Sequence, residues 1–412
     1  MSQSRILVDR DIPWGIEAFE GLGDVVPYDA ADLRKDPSIL AEADVLACRS
    51  VTRVDAALLA AAPRLKAVAT PVVGLDHVIC EDMRAAQRQR GHTIQVFSAP
   101  GSTAAGVADW VVAAILHSLV PPERAGDRAV RRRDGFPQET LAAAEADSGR
   151  SNPYDADPRS LKVGIWGFGN CGRALAARLA RLGMTFVAYD PPKESQTAGA
   201  FLSADLEDLW TCDVVSLHVP LTNPGDSRWP TRGMVDGTVF DALATGGVRL
   251  LCNTSRGAVL QDAGLRDRLS AGDGPALALD VYEDEPTPDP TIVAGTRIAT
   301  AHVAGSVLEG RRKAVAKVRD EVRRTLRLPG PPFPAEPSGG FDRPPPFAVP
   351  TRPQLADVRD GIRAAVPLDE WTRTFRDAYL PAPPAQRAAA FEAARRGGLR
   401  REIRWGRLRL PD

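Results

Sequence analysis

Residues 162–190 read KVGIWGFGNCGRALAARLARLGMTFVAYD. An apolar run, a glycine-rich turn, an amphipathic stretch and a second apolar run follow one another, which predicts strand, turn, helix, strand. Gly167, Gly169 and Gly172 form G-x-G-x-x-G at the join of strand and helix, where glycine permits a tight turn and close approach of the backbone to a pyrophosphate. The first helical turn, with Asn170 and Cys171, then offers its N–H groups to the anion. Asp190 ends the second strand 18 residues after Gly172, where a carboxylate can bond ribose hydroxyls and repel a 2′-phosphate. The cofactor expected is therefore NAD. A glycine turn of another α/β protein with a coincidental acid is the alternative.

Alternation continues downstream through VVSLHVP, VRLLCN and ALALDVY, which makes this region a doubly wound parallel sheet. Three polar residues follow its later strands: Arg256 in NTSRG, Glu285 in DVYEDEP and His302 in TAHVAG. Strand ends are where open α/β sheets bind ligands. Oxidation of an alcohol needs a base for the hydroxyl proton, and imidazole suits that task near neutral pH. A carboxylate beside it would stabilise the imidazolium, and an arginine fork would hold a substrate carboxylate. Taken singly, His302 also reads as a core or capping histidine, and Arg256 and Glu285 as surface ion-pair partners.

Upstream, RILVD from Arg5, ADVLACRSVT from Ala43 and LKAVATPVV from Leu65 alternate with helix-like stretches, a second parallel α/β pattern. Ala104 to Leu119 is almost wholly apolar, too short for a membrane span and too long for a strand, so a buried helix is expected. Residues 121–159 turn to Arg, Asp, Gly, Pro and Ser, as a surface insertion would. After a helix-like stretch through Val307, Val315, Val322 and Leu326, ten prolines fall between Pro329 and Pro353. Beyond them the sequence predicts a helix over 385–396 and a strand within 397–410, a segment too short to bury a core alone.

Of 412 residues, 52 are Lys or Arg and 53 Asp or Glu, which removes the basic field that nucleic-acid or anionic-membrane binding requires. Five scattered cysteines with no C-x-x-C pair suggest neither disulfides nor a metal site, and fit a reducing cytoplasm. The opening residues lack an apolar targeting segment.

In order and spacing, GFGNCG, NTSRG, LDVYEDEP and HVAG resemble the D-isomer-specific 2-hydroxyacid dehydrogenases. The resemblance implies a Rossmann-type α/β cofactor domain over residues 111–302 and a smaller flavodoxin-like substrate domain. That second domain would be discontinuous, residues 1–110 with 303–330. It implies catalytic roles for Arg256, Glu285 and His302, and cofactor contacts from Val219, Asp280 and Gly305 as well as the glycine turn. ILVDRDIP, CRSVT, GLDHV, SAPG and HVAGSVLEG point, within the family, to a member acting on a small phosphorylated 2-hydroxy acid. Substrate contacts are then expected from Arg49, Ser50, Val72, Gly74 and Ser306, and residues 331–412 become an α+β dimerisation domain. Val72, Ser306, Val219 and Thr103 depart from that pattern, two of them losing a hydroxyl. A phosphoglycerate-type or hydroxypyruvate-type reductase and a non-catalytic NADH sensor are the competing readings.

Overall fold

The computed structural model describes residues 3–119, 158–197, 199–272, 274–337 and 355–403. The expected insertion falls almost wholly, and five of the ten later prolines fall, outside those residues. The chain divides into two compact units, Met1–Ala104 with Val307–Pro344 and Ala105–Ser306 with Pro345–Asp412.

In the first unit the short apolar runs form β1 (Arg5–Asp9), β2 (Asp24–Tyr28), β3 (Val45–Ala47), β4 (Ala67–Ala69) and β5 (Gln95–Phe97). They pair in the order β2-β1-β3-β4-β5, all parallel, the flavodoxin-like arrangement. Alternate residues of each strand face opposite sides. Leu7, Leu46 and Val68 pack with Leu40, Leu59 and Met83, while Ile6, Val8 and Val45 meet Val315, Val318 and Val322. Those three valines lie on the helix Leu308–Thr325, which explains why a segment near residue 310 rejoins the N-terminal sheet.

The second unit holds β6 (Lys162–Trp166), β7 (Thr185–Tyr189), β8 (Val214–Leu217), β9 (Leu250–Asn253), β10 (Ala276–Leu279) and β11 (Ile298–Ala299). The parallel order β11-β10-β9-β8-β6-β7 reverses direction beside β6, the Rossmann-type switch point. The apolar stretch Ala104–Leu119 is a helix, buried from Val107 onwards against Val163, Ile165, Leu175 and Leu179. Among the described residues no helix is long and apolar enough to cross a membrane, and no cluster of His, Cys, Asp and Glu could hold a metal ion.

Residues 355–403, read from the sequence as part of a third domain, belong to this second unit. Their described part is three helices, Leu355–Ala365, Leu368–Tyr379 and Pro384–Gly397, two of which the sequence reading missed. Of the expected strand only a single bridge residue, Arg400, forms up to residue 403, and residues 404–410 lie outside the described part. There the backbone N–H groups of Arg400 and Ile403 go to the Ser306 carbonyl and the Asp109 carboxylate. A segment this short cannot enclose a core, so it buries its apolar faces on the sheet. Phe375 and Phe391 are buried around Tyr282, with ring centroids 6.2 and 6.4 Å from it. Thr372 Oγ1 accepts the N–H of Ala299, closing one open donor of the edge strand β11, and Asp369 meets His117 Nδ1 at 2.8 Å. Phe375→Ala is expected to cost about 3–5 kcal/mol, the range for deleting a buried phenyl ring. Urea unfolding checks this, and a loss below about 1 kcal/mol would mean that the aromatic cluster is not core.

Candidate functional site

The glycine turn leaves β6 and enters the helix Asn170–Arg181. Gly167 has φ +100°, a left-handed conformation, and a Cβ there would lie 2.6 Å from the His218 carbonyl oxygen. A Cβ on Gly172 would fall 2.2 Å from the Gly167 carbonyl oxygen, so the helix closes on the turn only with glycine. Gly169 differs from both. Nothing in the protein lies within 4 Å of its would-be Cβ, at the point where Asn170 and Cys171 begin the helix.

Asp190, at the end of β7, accepts from the backbone N–H of Phe168 at 2.6 Å and of Lys193 at 2.9 Å. It thereby ties the glycine turn to the next strand, and a carboxylate retains acceptor capacity for hydroxyls beyond two such bonds. His218 Nδ1 and Thr254 Oγ1 are buried without a hydrogen-bond partner. They follow Leu217 and Asn253, which are paired in the β8–β9 register, so both orphans sit at the same carboxyl edge as the turn. An open glycine at a helix N-terminus, an acid on the neighbouring strand and unmatched polar atoms on the next two fit a dinucleotide. Val219 is half-buried against the apolar core and offers no hydroxyl.

The three later residues follow three adjacent strands. Glu285 and His302 touch, Oε2 to Nδ1, at 2.7 Å. Burial and the Arg395 charge work against the His302 imidazolium, but Glu285 outweighs them and raises its pKa above the ordinary 6.5. Burial would raise Glu285, yet the His302 charge and bond and the Tyr282 N–H hold it below its ordinary range. Arg256 sits on the β9 loop, with its Nη1 on the Ser255 carbonyl at 2.8 Å. The glycine after it is required: a Cβ on Gly257 would lie 1.8 Å from the Tyr282 carbonyl carbon, so the Arg256 loop packs directly onto the Glu285 loop.

Asp280 stands beneath this group rather than at its surface. It is 1% exposed, and its carboxylate accepts from Thr300 Oγ1 at 2.6 Å and from the N–H groups of Val303 and Ala304 at 2.7 and 2.9 Å. Its protein partners make it the anchor of the loop carrying His302, which spacing alone did not reveal. Gly305 is half-buried in that loop and Ser306 is buried.

The remaining expected residues lie in the first unit. Arg49 bonds Asp9 through Nε at 2.9 Å and Asp11 through Nη2 at 2.6 Å, and Ser50 is exposed beside it. Val72 and Gly74 are half-buried on the loop after β4, where Val72 O accepts the Ala99 N–H. His77 shares a buried hydrogen bond with Thr70 Oγ1 at 3.1 Å.

Gly169→Ala is expected to leave thermal stability unchanged, because its Cβ meets no protein atom. It should weaken NADH binding by about tenfold or more, equivalent to about 1.4 kcal/mol. Fluorescence titration checks this, and unchanged affinity would show that the open space is not the cofactor's.

Comparison with known proteins gives the same assignment. Residues 129–304 match the model of the D-isomer specific 2-hydroxyacid dehydrogenase, NAD binding domain. The chain is 35% identical to the erythronate-4-phosphate dehydrogenase of Chromohalobacter salexigens, over 79% of this chain and 73% of that one. It is 37% identical to that of Salinibacter ruber, over 76% and 69%. Its fold is similar to that of the D-lactate dehydrogenase of Aquifex aeolicus solved with NAD and lactic acid. That structure has a TM-score of 0.54 and 23% identity, with 78% of this chain and 94% of that one covered. Rossmann topology, the dinucleotide turn and relatives sharing a third of their residues over three quarters of the chain establish that this protein belongs to the D-isomer-specific 2-hydroxyacid dehydrogenases, enzymes that use NAD.

Proposed function

We propose that this dehydrogenase oxidises 4-phospho-D-erythronate at C2 to 2-oxo-3-hydroxy-4-phosphobutanoate, a step of vitamin B6 synthesis. The observation that carries the reading is the Glu285–His302 pair in a chain whose relatives at 35% and 37% identity are named erythronate-4-phosphate dehydrogenase.

When bound, NAD supplies the acceptor for the hydride leaving C2. The chain's own residues handle the rest. Glu285 faces Nδ1 of His302, so Nδ1 keeps its proton and Nε2 is the nitrogen that takes the substrate's hydroxyl proton. The C2–O bond then becomes a carbonyl as C–H and O–H are both lost. The carboxylate spreads the positive charge that His302 acquires, and Arg256 grips the substrate carboxylate next to the reacting carbon. Arg49 and Ser50 contribute a cation and a hydroxyl toward the substrate's anionic groups. The enzyme works as a homodimer in the cytoplasm, in keeping with five free cysteines. A monomeric mass by light scattering would remove the dimer.

Val72 favours a second reading. Where a threonine is expected for phosphoerythronate, valine cannot hydrogen-bond, which points to another 2-hydroxy acid of the phosphoglycerate or hydroxypyruvate type. A sensor that binds NADH without turnover would show none of the kinetics below.

Oxidation requires neutral His302, whose pKa is raised above 6.5. Activity in that direction is therefore expected to rise with pH along a limb lying above 6.5, and the reverse reduction to fall along it. Glu285→Gln should move the limb to lower pH, and His302→Ala should slow turnover by about 10²–10⁴ with NADH binding kept. Initial rates across pH 5.5–9 check both; a limb unmoved by Glu285→Gln removes the pair from the mechanism. NADH production from 4-phospho-D-erythronate, 3-phosphoglycerate, D-glycerate and D-lactate decides the substrate. A kcat/KM of about 10⁴ M⁻¹s⁻¹ or more for the first alone is the expected result. Preference for another acid keeps the chemistry and overturns the substrate.

A further inference from the structure

The segment after the last helix runs against the loop that carries His302. A Cβ on Gly398 would lie 2.4 Å from Val303 Cγ1, so the chain passes there only because residue 398 has no side chain. Two residues on, Arg400 is 7% exposed, and its guanidinium reaches three carbonyl oxygens: Gly106 at 2.7 Å and Ala304 at 3.1 Å through Nη2, Val303 at 3.3 Å through Nη1. Its backbone N–H donates to Ser306 O at 3.1 Å. Ile403 N–H then bonds the buried Asp109 carboxylate, which also accepts from Arg178 Nε.

From the other side, Asp280 takes the N–H groups of Val303 and Ala304. The peptide groups just after His302 are thus held by opposite charges on their two polar ends, N–H by a carboxylate and C=O by a guanidinium. His302 itself has φ +56°, a left-handed conformation that costs a non-glycine residue energy and persists only where surroundings over-determine it.

We propose that Arg400 is a positioning residue that fixes the His302 loop for proton transfer, making the C-terminal segment a working part of its own chain's active site. The proposal rests on reading His302 as the proton acceptor. Arginine is the residue type able to do this, because its planar fork offers five donors and remains charged when buried. Lysine could satisfy one or two carbonyls but not three in two directions. Without the fork, the left-handed turn relaxes and the 2.7 Å contact between His302 and Glu285 lengthens. The charged groups acting on the imidazole are Glu285, Asp280 and Arg395, the last from the helix Pro384–Gly397, and Glu285 is the one whose distance the loop controls.

The test uses full-length protein with Arg400→Lys and Arg400→Gln, and with Arg373→Gln on an exposed turn of the helix Leu368–Tyr379 as control. Three quantities are read: steady-state kcat and KM, NADH affinity by fluorescence, and the titration of His302 by nitrogen-15 NMR in the ligand-free protein. Five histidines make the spectrum tractable, with His302 assigned from His302→Gln. Both Arg400 variants should keep NADH affinity within about twofold and lose about tenfold or more in kcat, while the His302 midpoint falls toward the ordinary value of about 6.5. Arg373→Gln should change none of these.

A wild-type kcat and midpoint in a folded Arg400 variant would overturn the proposal. So would an activity loss that tracks lost NADH affinity while the midpoint stays put, since that is what general destabilisation produces. Should Arg400→Gln not fold, Arg400→Lys decides alone. Wild-type turnover in His302→Gln would overturn both this proposal and the reading beneath it. A midpoint that fails to move with Arg400, in a chain whose His302→Gln variant is inactive, defeats the positioning role only.

Discussion

The buried carboxylate of Asp280 is the point on which the Glu285–His302 edge of the sheet depends. Sitting just past β10, it accepts Thr300 Oγ1 and the N–H groups of Val303 and Ala304, and so binds the end of one strand to the loop after the next. A carboxylate enclosed in this way is costly to ionise, and burial raises its pKa to about 6 even though His302 and its three donors pull the other way. The charge is retained because leaving three buried donors unmatched would cost more. Its consequence reaches one residue further, to His302, whose backbone N–H is bonded to the Asp280 carbonyl and whose ring is thereby aimed at Glu285.

Glu285 has a separate support. Its Oε1 accepts the Tyr282 N–H, and the Tyr282 ring is enclosed by Phe375 and Phe391 from the C-terminal helices. Tyr379 of the same helices donates to the Pro288 carbonyl beyond Glu285. The two halves of the pair therefore stand on different elements, yet both reach the C-terminal segment, one through aromatic packing and one through Arg400. Aromatic packing sets the distance between layers but directs no single atom. Charge-assisted bonds to carbonyls do the latter.

Much of this was legible in the sequence because it is periodic or constrained by glycine. Alternating apolar runs marked both sheets, and Gly167 and Gly172 occur where no Cβ fits. Arg256, Glu285 and His302 could be singled out because each follows an apolar run, but that Glu285 and His302 touch depends on the order of β10 and β11, which spacing does not contain. Two of the three C-terminal helices were missed for a different reason. Leu368, Thr372, Phe375 and Tyr379 recur at helical spacing and could have been recognised, but Pro367 and Pro381 bound the run closely and shorten the apolar signal. Arg400 carries no pattern at all, and Asp280, expected from its motif to meet the cofactor, gave no sign in the sequence of its role as an anchor. A buried charge is recognisable only once its partners, 20 and 96 residues away in sequence, are brought to it.

If the first unit takes the substrate as proposed, its departures from the family pattern have a physical consequence for selectivity. A site built to hydrogen-bond a hydroxyl rejects an analogue lacking it, whereas an apolar contact discriminates weakly. On the proposed function, Val72 loosens selection at its position, and what the first unit then offers the substrate is charge and geometry at Arg49. That guanidinium is not a bare cation: Asp9, 1% exposed, and Asp11 together bring two negative charges to one positive. Net attraction for an anion is therefore weak there. The two carboxylates instead lock Nε and one Nη2 hydrogen, leaving the other three donors of the fork in a fixed orientation. On the proposed function, selectivity there rests on the direction of donors, which favours a tetrahedral or planar oxyanion in one placement. On the proposed function it tolerates changes elsewhere in the acid, because valine offers a methyl where the resemblance leads one to expect a threonine hydroxyl.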